Sequence, residues 1–219
     1  DGATIVVLVV VNAAQAEEVL FGADGAVKAM KPGSVLIASP TLSPAEAQSF
    51  EGRAAEKGVL YLDAPISGGS AKAEAGALTI MASGSAQAFD AADAALTAMA
   101  ATVYRLGDKV GVGSSFKIVN QLLAGVHIAA AAEALTLAAK AGLDLQTVFD
   151  VIRVSAGSSW MFENRGPHVV EGDYTPRSAV NIFVKDLGIV TDEAKREGGE
   201  TPLSAAALAL FKEASAAGL

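Results

Sequence analysis

"GVGSSFKIVNQLLAGVHIAAAAEALTLAAKAG" (residues 111–142) separates two kinds of pattern in this chain. From Ser114 to Ala141 nearly every residue is a helix former, and Gly142 supplies the stop. At 1.5 Å per residue such a helix is about 40 Å long. Ahead of it, short apolar runs alternate with helical stretches; behind it no strand pattern returns. The chain therefore reads as an α/β part over residues 1–110 and an all-α part over residues 111–219, joined through the long helix.

Within the first part, "TIVVLVVV" (4–11) is uniformly apolar and β-branched, which predicts a strand covered on both faces, as in a parallel sheet. "GSVLIAS" (33–39), "VLYLDAP" (59–65), "GALTIMASG" (76–84) and "TVYRLG" (102–107) read as further strands. Helices are predicted between them over 13–22, 43–58 and 85–101. In the middle one Ser43 is the N-cap, Pro44 occupies the first turn and Gly58 marks the end. Beyond the long helix, further helices are predicted over 144–157, 178–199 and 201–218, with Asp144 as a cap. "WMF" (160–162) reads as an apolar packing corner and His127 as a core or interface residue.

Composition narrows the function classes. The 219 residues can bury a real core. A formal charge of −8, no run of Lys or Arg and 5% aromatics argue against a nucleic-acid surface. No uninterrupted apolar run reaches the ~18 residues that a membrane span needs, so no membrane partner is expected. The absence of cysteine excludes disulfides, thiolate zinc sites and cysteine nucleophiles, and permits a reducing, cytoplasmic compartment. His127 and His168 are the only histidines and no HExxH spacing occurs, so no metal site is expected.

Three stretches could carry chemistry. "DAPISGGSAKAEAG" (63–76) follows a predicted strand directly, where open α/β sheets bind ligands. Gly68 and Gly69 let backbone N–H groups cradle an anion, and Ser67 adds a hydroxyl, which together suit a carboxylate. An ordinary glycine turn fits the spacing equally. "GVGSSFKIVNQ" (111–121) begins like a dinucleotide-binding loop, but Phe116 stands where the third glycine would fall. Its glycines are read as clearing space for substrate. Lys117 falls in the first helical turn, where the helix dipole and partial burial both disfavour a positive charge. A lysine so placed can exchange a proton with a substrate hydroxyl; the competing reading is a lysine snorkelling from a helix end. Asn120 and Gln121, three and four residues on, share its face and can hydrogen-bond a polar substrate. In "FVKDLG" (183–188), Lys185 and Asp186 are either a surface ion pair of little worth or a lysine reaching into a cleft.

"DAPISGG" with "GALTIMASG", then "GVGSSFKIVNQ", then "FVKDLG" stand in the order and at spacings that resemble the β-hydroxyacid dehydrogenase family, and the resemblance covers essentially the whole chain. "NAAQAEEVLFG" (12–22), "QLLAGVHIAAAAEA" (121–134) and "SWMFENR" (159–165) followed by "HVVEGDYTPRSAV" (168–180) resemble its sugar-acid members. Gln121 points the same way, since most of the family carries asparagine there.

The resemblance implies a fold and an activity. The fold is a Rossmann-like α/β domain, incomplete here, followed by an all-α domain that takes part in dimerisation; a homodimer or homotetramer is expected. The activity is NAD-dependent oxidation of a small, sugar-derived hydroxy acid, with NADP as the other cofactor. Lys117 would be the general acid/base. Ser67, Gly68 and Gly69 would hold the substrate carboxylate, helped by Gln121 and Asn120. Asn12 and Ala13 would lie beside the adenosine or ribose, Thr41 near the cofactor, and Lys185 over the cofactor cleft. The family's GxGxxG loop falls before residue 1, and Gly22, Gly25 and Gly33 lack its spacing; either the sequence is part of a longer protein or the pyrophosphate site is lacking, and in the second case weak or no NAD binding is expected. Two alternatives stand beside this reading. One is a relative acting on tartronate semialdehyde or 3-hydroxyisobutyrate; the other is a non-catalytic dimerisation module.

Overall fold

A computed structural model describes residues 2–175 and 178–218; Asp1, Pro176, Arg177 and Leu219 lie outside the described residues, so two positions of the "HVVEGDYTPRSAV" stretch are not covered. The chain divides into two compact units, the first ending at Val119 and the second beginning at Asn120. The division falls inside the long helix.

The first unit begins with β1 (Ile5–Leu8), α1 (Ala13–Phe21), α2 (Ala26–Ala29), β2 (Val35–Ala38), α3 (Pro44–Ala55) and β3 (Leu60–Asp63). It continues through β4 (Ile66–Ser67), α4 (Gly69–Glu74), β5 (Leu78–Ala82), α5 (Ala86–Met99) and β6 (Ala100–Arg105) to the start of α6 (Val112–Lys140). β1, β2 and β3 pair in that order, all parallel, and their ends are in register: Leu8, Ala38 and Asp63 form one row. A second sheet runs β4-β5-β6, with β5 and β6 parallel and β4 antiparallel to β5. An antiparallel bridge between Asp63 and Ser83 links the end of β3 to the residue after β5.

Alternation along β2 shows why the strands are so apolar. Leu36 and Ala38 pack into one core with Leu8, Leu20, Phe50 and Tyr61. Val35 and Ile37 pack into another with Leu62, Ile80, Phe89 and Leu96. Both faces are covered, which removes the need for a polar alternate. Helix starts follow the capping signals. Ser43 and Glu46 form a reciprocal capping box on α3, and Asn12 and Ser85 accept from the third residue of α1 and α5.

The prediction for residues 4–11 is corrected. The strand covers only Ile5–Leu8, it has a paired neighbour on the β2 side alone among the described residues, and Val9 is 65% exposed. A β-branched run is covered on both faces only where a neighbouring strand and two layers are present.

The second unit holds the rest of α6, then α7 (Leu145–Ile152), α8 (Trp160–Glu171), α9 (Asn181–Arg196) and α10 (Pro202–Ala216). Phe149 and Phe162 stack with ring centroids 5.5 Å apart beside Ala131 and Leu135; Phe183 and Phe211 stack at 5.1 Å. α8 is a further correction. Residues 160–162 open a helix capped by Ser159, which accepts from the Phe162 N–H, and Trp160 is exposed while Phe162 is buried. Pro167 lies inside this helix and conceals it in the sequence, because proline there removes a backbone donor. By length and composition α6 could cross a membrane, but Lys117, Asn120 and Gln121 interrupt its apolar run and its start is tied into the first unit, as described next.

Candidate active site

The residues of the first unit predicted to bind ligands follow the carboxyl ends of the parallel strands, which pairing in register brings to one edge. Asn12 and Ala13 follow β1, Thr41 follows β2, and Ser67, Gly68 and Gly69 follow β3 by way of Pro65 and β4. Asn12 uses its side-chain oxygen to cap α1, accepting from the Gln15 N–H at 2.9 Å. Gly68 and Gly69 have φ of 139° and 69°, a region that disfavours any side chain, and a Cβ on Gly68 would also collide with Lys72. These dihedrals turn the chain from β4 into α4, whose start carries no side-chain cap.

α6 meets this edge at its first turn, and the junction is built on Asp63. Its Oδ2 accepts from the backbone N–H of Gly111 at 3.0 Å and of Ser114 at 2.8 Å, and from the Ser83 hydroxyl at 3.3 Å. Its Oδ1 accepts from the Ser114 hydroxyl at 2.8 Å. The Gly113 N–H donates to Ser83 Oγ at 2.9 Å. Asp63 is 1% exposed. Burial pushes its carboxyl above the ordinary carboxylate range, and the donors from Ser114, Gly111 and Ser83 draw it part of the way back. Burial also lifts Glu51, and the charge of Asp63 lifts it further.

The glycines of this turn have a different task from the one predicted. A Cβ on Gly113 would overlap the Met81 carbonyl oxygen and come within 2.9 Å of the Asp63 carbonyl oxygen. Gly111 has φ of 100°, and a Cβ there would come within 2.9 Å of Gln48 Nε2. Gly113 lets the helix approach the strand ends, and Gly111 lets it approach α3. Lys117 sits in the second turn of α6, not the first. It is 7% exposed, and its Nζ donates to the Ile66 carbonyl oxygen at 2.8 Å, so it does not snorkel.

The second unit carries the other predicted polar residues. Asn120 Nδ2 donates to Gln121 Oε1 at 2.9 Å, and Gln121 Nε2 donates to Asp186 Oδ2. Lys185 Nζ lies 2.7 Å from Asp186 Oδ1. Asp186 is 2% exposed, so this is no surface ion pair; a desolvated carboxylate is held between an ammonium and an amide. His127 is half-buried on α6. Sequence reasoning assigned no site role to Asp63, Ser83 or Ser114, and read Asp186 only as a neighbour of Lys185. An acid closing the apolar run "LYLD" was the one available signal for Asp63.

The buried carboxyl gives a pH prediction. A carboxyl whose pKa is higher folded than unfolded contributes stability that is complete below the unfolded value and is lost as pH rises through the folded one. Ionised Asp63 therefore weighs against folding at neutral pH, and Asp63→Asn removes that pH dependence. Urea midpoints measured from about pH 4 upward are expected to fall more with pH, or rise less, in the wild type than in the variant. Parallel curves would contradict the raised carboxyl.

A three-stranded parallel sheet, a buried lysine in the helix that follows, and a helical unit after it in the chain are compatible with the dinucleotide-binding dehydrogenase class. Comparison with known proteins makes this specific. Residues 1–107 match the family described as the NAD binding domain of 6-phosphogluconate dehydrogenase, and residues 111–219 match the family described as NAD-binding of NADP-dependent 3-hydroxyisobutyrate dehydrogenase. L-threonate dehydrogenase of Cupriavidus necator is 56% identical over 214 residues, which are 98% of this chain and 72% of that protein. L-threonate dehydrogenase of Haemophilus influenzae is 54% identical over 213 residues, covering 97% of this chain and 71% of that protein. The crystal structure of 3-hydroxyisobutyrate dehydrogenase from Salmonella typhimurium superimposes with a TM-score of 0.94 at 54% identity, over 98% of this chain and 75% of that one. The chain belongs to the β-hydroxyacid dehydrogenase family, as a Rossmann-like α/β unit followed by a helical unit. It is a hydroxyacid dehydrogenase that uses NAD, with NADP also compatible.

Proposed function

We propose that the protein oxidises L-threonate at C2 to the 2-keto acid, 2-dehydro-L-erythronate, with Lys117 as the general base. The observation that carries the substrate is identity of 53–56% over at least 96% of the chain to five proteins named L-threonate dehydrogenase. What supports the role of Lys117 is its burial against the Ile66 carbonyl, one residue before Ser67.

On this reading the substrate carboxylate rests on the N–H groups of Gly68 and Gly69 and the Ser67 hydroxyl. The Ile66 carbonyl keeps the lysine amine close to that anchor. Lys117, unprotonated, takes the C2 hydroxyl proton as the C2–O bond becomes a carbonyl. Gln121, with Asn120 beside it, hydrogen-bonds the sugar-acid hydroxyls through the amide capacity left by its bonds to Asn120 and Asp186. When bound, the nicotinamide supplies the acceptor for the C2 hydrogen. Asn12 and Ala13 line the ribose side of its site, Thr41 the edge beside it, and Lys185 lies on the helical side. Asn12 and Thr41 follow the carboxyl ends of neighbouring parallel strands, the edge at which open α/β sheets bind such ligands. Residues 1–110 serve as the dinucleotide domain and 111–219 as the helical one.

We read the working form as a cytoplasmic homodimer or homotetramer. An apolar groove of about 490 Å³ between α6 and α10, lined by Ile128, Leu137, Leu210 and Phe211, supports a second copy as its cover. Light scattering at a low-micromolar concentration is expected to give a mass above one chain. The rival substrate is 3-hydroxyisobutyrate, after which the structurally similar Salmonella typhimurium enzyme is named; tartronate semialdehyde is the third. With the native full-length enzyme and fixed NAD, kcat/KM is expected to be at least about tenfold higher for L-threonate, the discrimination that one well-placed hydrogen bond provides. A preference for 3-hydroxyisobutyrate or tartronate semialdehyde would replace this reading.

A further inference from the structure

We propose that Asp63 is the positioning residue for Lys117: its side chain grips the first turn of α6 and thereby holds the lysine amine against the Ile66 carbonyl. This rests on the assignment of Lys117 as the acid/base.

A helix start is ordinarily capped by the residue just ahead of it, whose side chain accepts from the second or third N–H. In α6 that neighbourhood is Gly111, which has no side chain to offer. The acceptor is imported instead from Asp63, 48 residues before Gly111 and 51 before Ser114. The next anchor along the helix, Lys117 Nζ to the Ile66 carbonyl, also spans 51 residues and ends three positions after Asp63. One short segment, Asp63 to Ile66, therefore holds α6 at two points, and the catalytic amine is one of them. Remove the carboxylate, and the amine's own hydrogen bond becomes a main tether between this segment and the helix.

The choice of residue is chemically narrow. Oδ2 accepts from two backbone N–H groups, which can only donate, so the site needs an acceptor at that oxygen. Asparagine can meet those N–H groups only with a neutral carbonyl oxygen, a weaker acceptor than a carboxylate, and its NH2 then faces the Ser114 hydroxyl. A glutamate would need room that is not there, since Gly113 closes against the Asp63 backbone and side chain. A buried carboxylate is costly, but an apolar residue in its volume would leave the N–H groups of Gly111 and Ser114 unpaired. What the carboxylate adds is a fixed helix start.

A double-mutant cycle tests the proposal. kcat is measured with saturating NAD and L-threonate in the native full-length protein, per folded molecule, for wild type, Asp63→Asn, Lys117→Ala and the double variant. Asp63→Asn is expected to lower kcat by at least about tenfold, since misplacement on the order of an ångström has that size of effect. KM for NAD is expected to stay within about twofold. In the Lys117→Ala background the same substitution should change kcat by less than about twofold, because a residue acting through the lysine has nothing left to position. Ser114→Ala, which removes only the Ser114 hydroxyl bond to Asp63 Oδ1, should show a smaller loss with the same non-additivity. It carries the test if Asp63→Asn does not fold. An equal loss in both backgrounds overturns the proposal. Undiminished turnover in Lys117→Ala alone would instead overturn the acid/base assignment, and this proposal with it.

Discussion

Lys117→Ala is expected to lower kcat by about 10²- to 10⁴-fold, the range that positioned proton transfer contributes. NAD affinity should stay close to that of the wild type, because Lys117 Nζ donates to the Ile66 carbonyl, beside the segment proposed to hold the substrate carboxylate. Lys117→Arg sharpens the result. A guanidinium can still donate to that carbonyl, yet it does not give up a proton at any working pH. If the role of Lys117 is proton transfer, arginine should be nearly as inactive as alanine. If the role is only to hold the Ile66 carbonyl or to supply positive charge, arginine should recover much of the rate. Steady-state kcat for the three proteins, with NAD dissociation constants by calorimetry, decides between them.

Gly113→Ala is the substitution with the largest expected effect on stability. The added carbon would overlap the Met81 carbonyl oxygen and crowd that of Asp63, both backbone atoms that cannot rotate away. Forcing atoms into a packed site typically costs about 1–3 kcal/mol, and here the relief must come from moving α6 off the strand ends. That movement would stretch the bonds from Gly111 and Ser114 to Asp63, so kcat should fall together with the denaturation midpoint. Gly69→Ala is the contrast. Nothing lies within 4 Å of its added Cβ, and its cost comes from a φ of 69° alone. Urea unfolding of the two variants is expected to rank Gly113→Ala as the less stable; the reverse order would mean that the helix start is looser than its packing indicates.

Much of the molecule was legible in the sequence, for reasons that are local. Helix starts at Pro44, Ala86 and Leu145 are written in Ser43, Ser85 and Asp144, because a cap acts over three residues. The apolar runs around Val35 and Leu60 announce buried parallel strands, because both faces of each are covered. Lys117, Gln121 and Lys185 stand out as polar groups in apolar helices. α8 did not, because Pro167 argues against the helix that Ser159 begins.

What the tertiary structure decided is the state of the charged and polar groups. Sequence presents Asp63 as the last letter of a strand and Asp186 as half of an ordinary Lys-Asp pair. Folding makes the first the cap of a helix that begins about fifty residues later, and the second the acceptor for the Gln121 amide. The physical reason is range. Propensity, caps and periodicity act within a turn or two along the chain, so composition and order specify them. Hydrogen bonds and burial act over about 3 Å through space, and only the completed fold brings residues 63, 83, 111 and 114 within that distance. Residue order alone thus determined the family and the alternation of strand and helix, and singled out Lys117; the fold determined that lysine's burial and its bond to the Ile66 carbonyl.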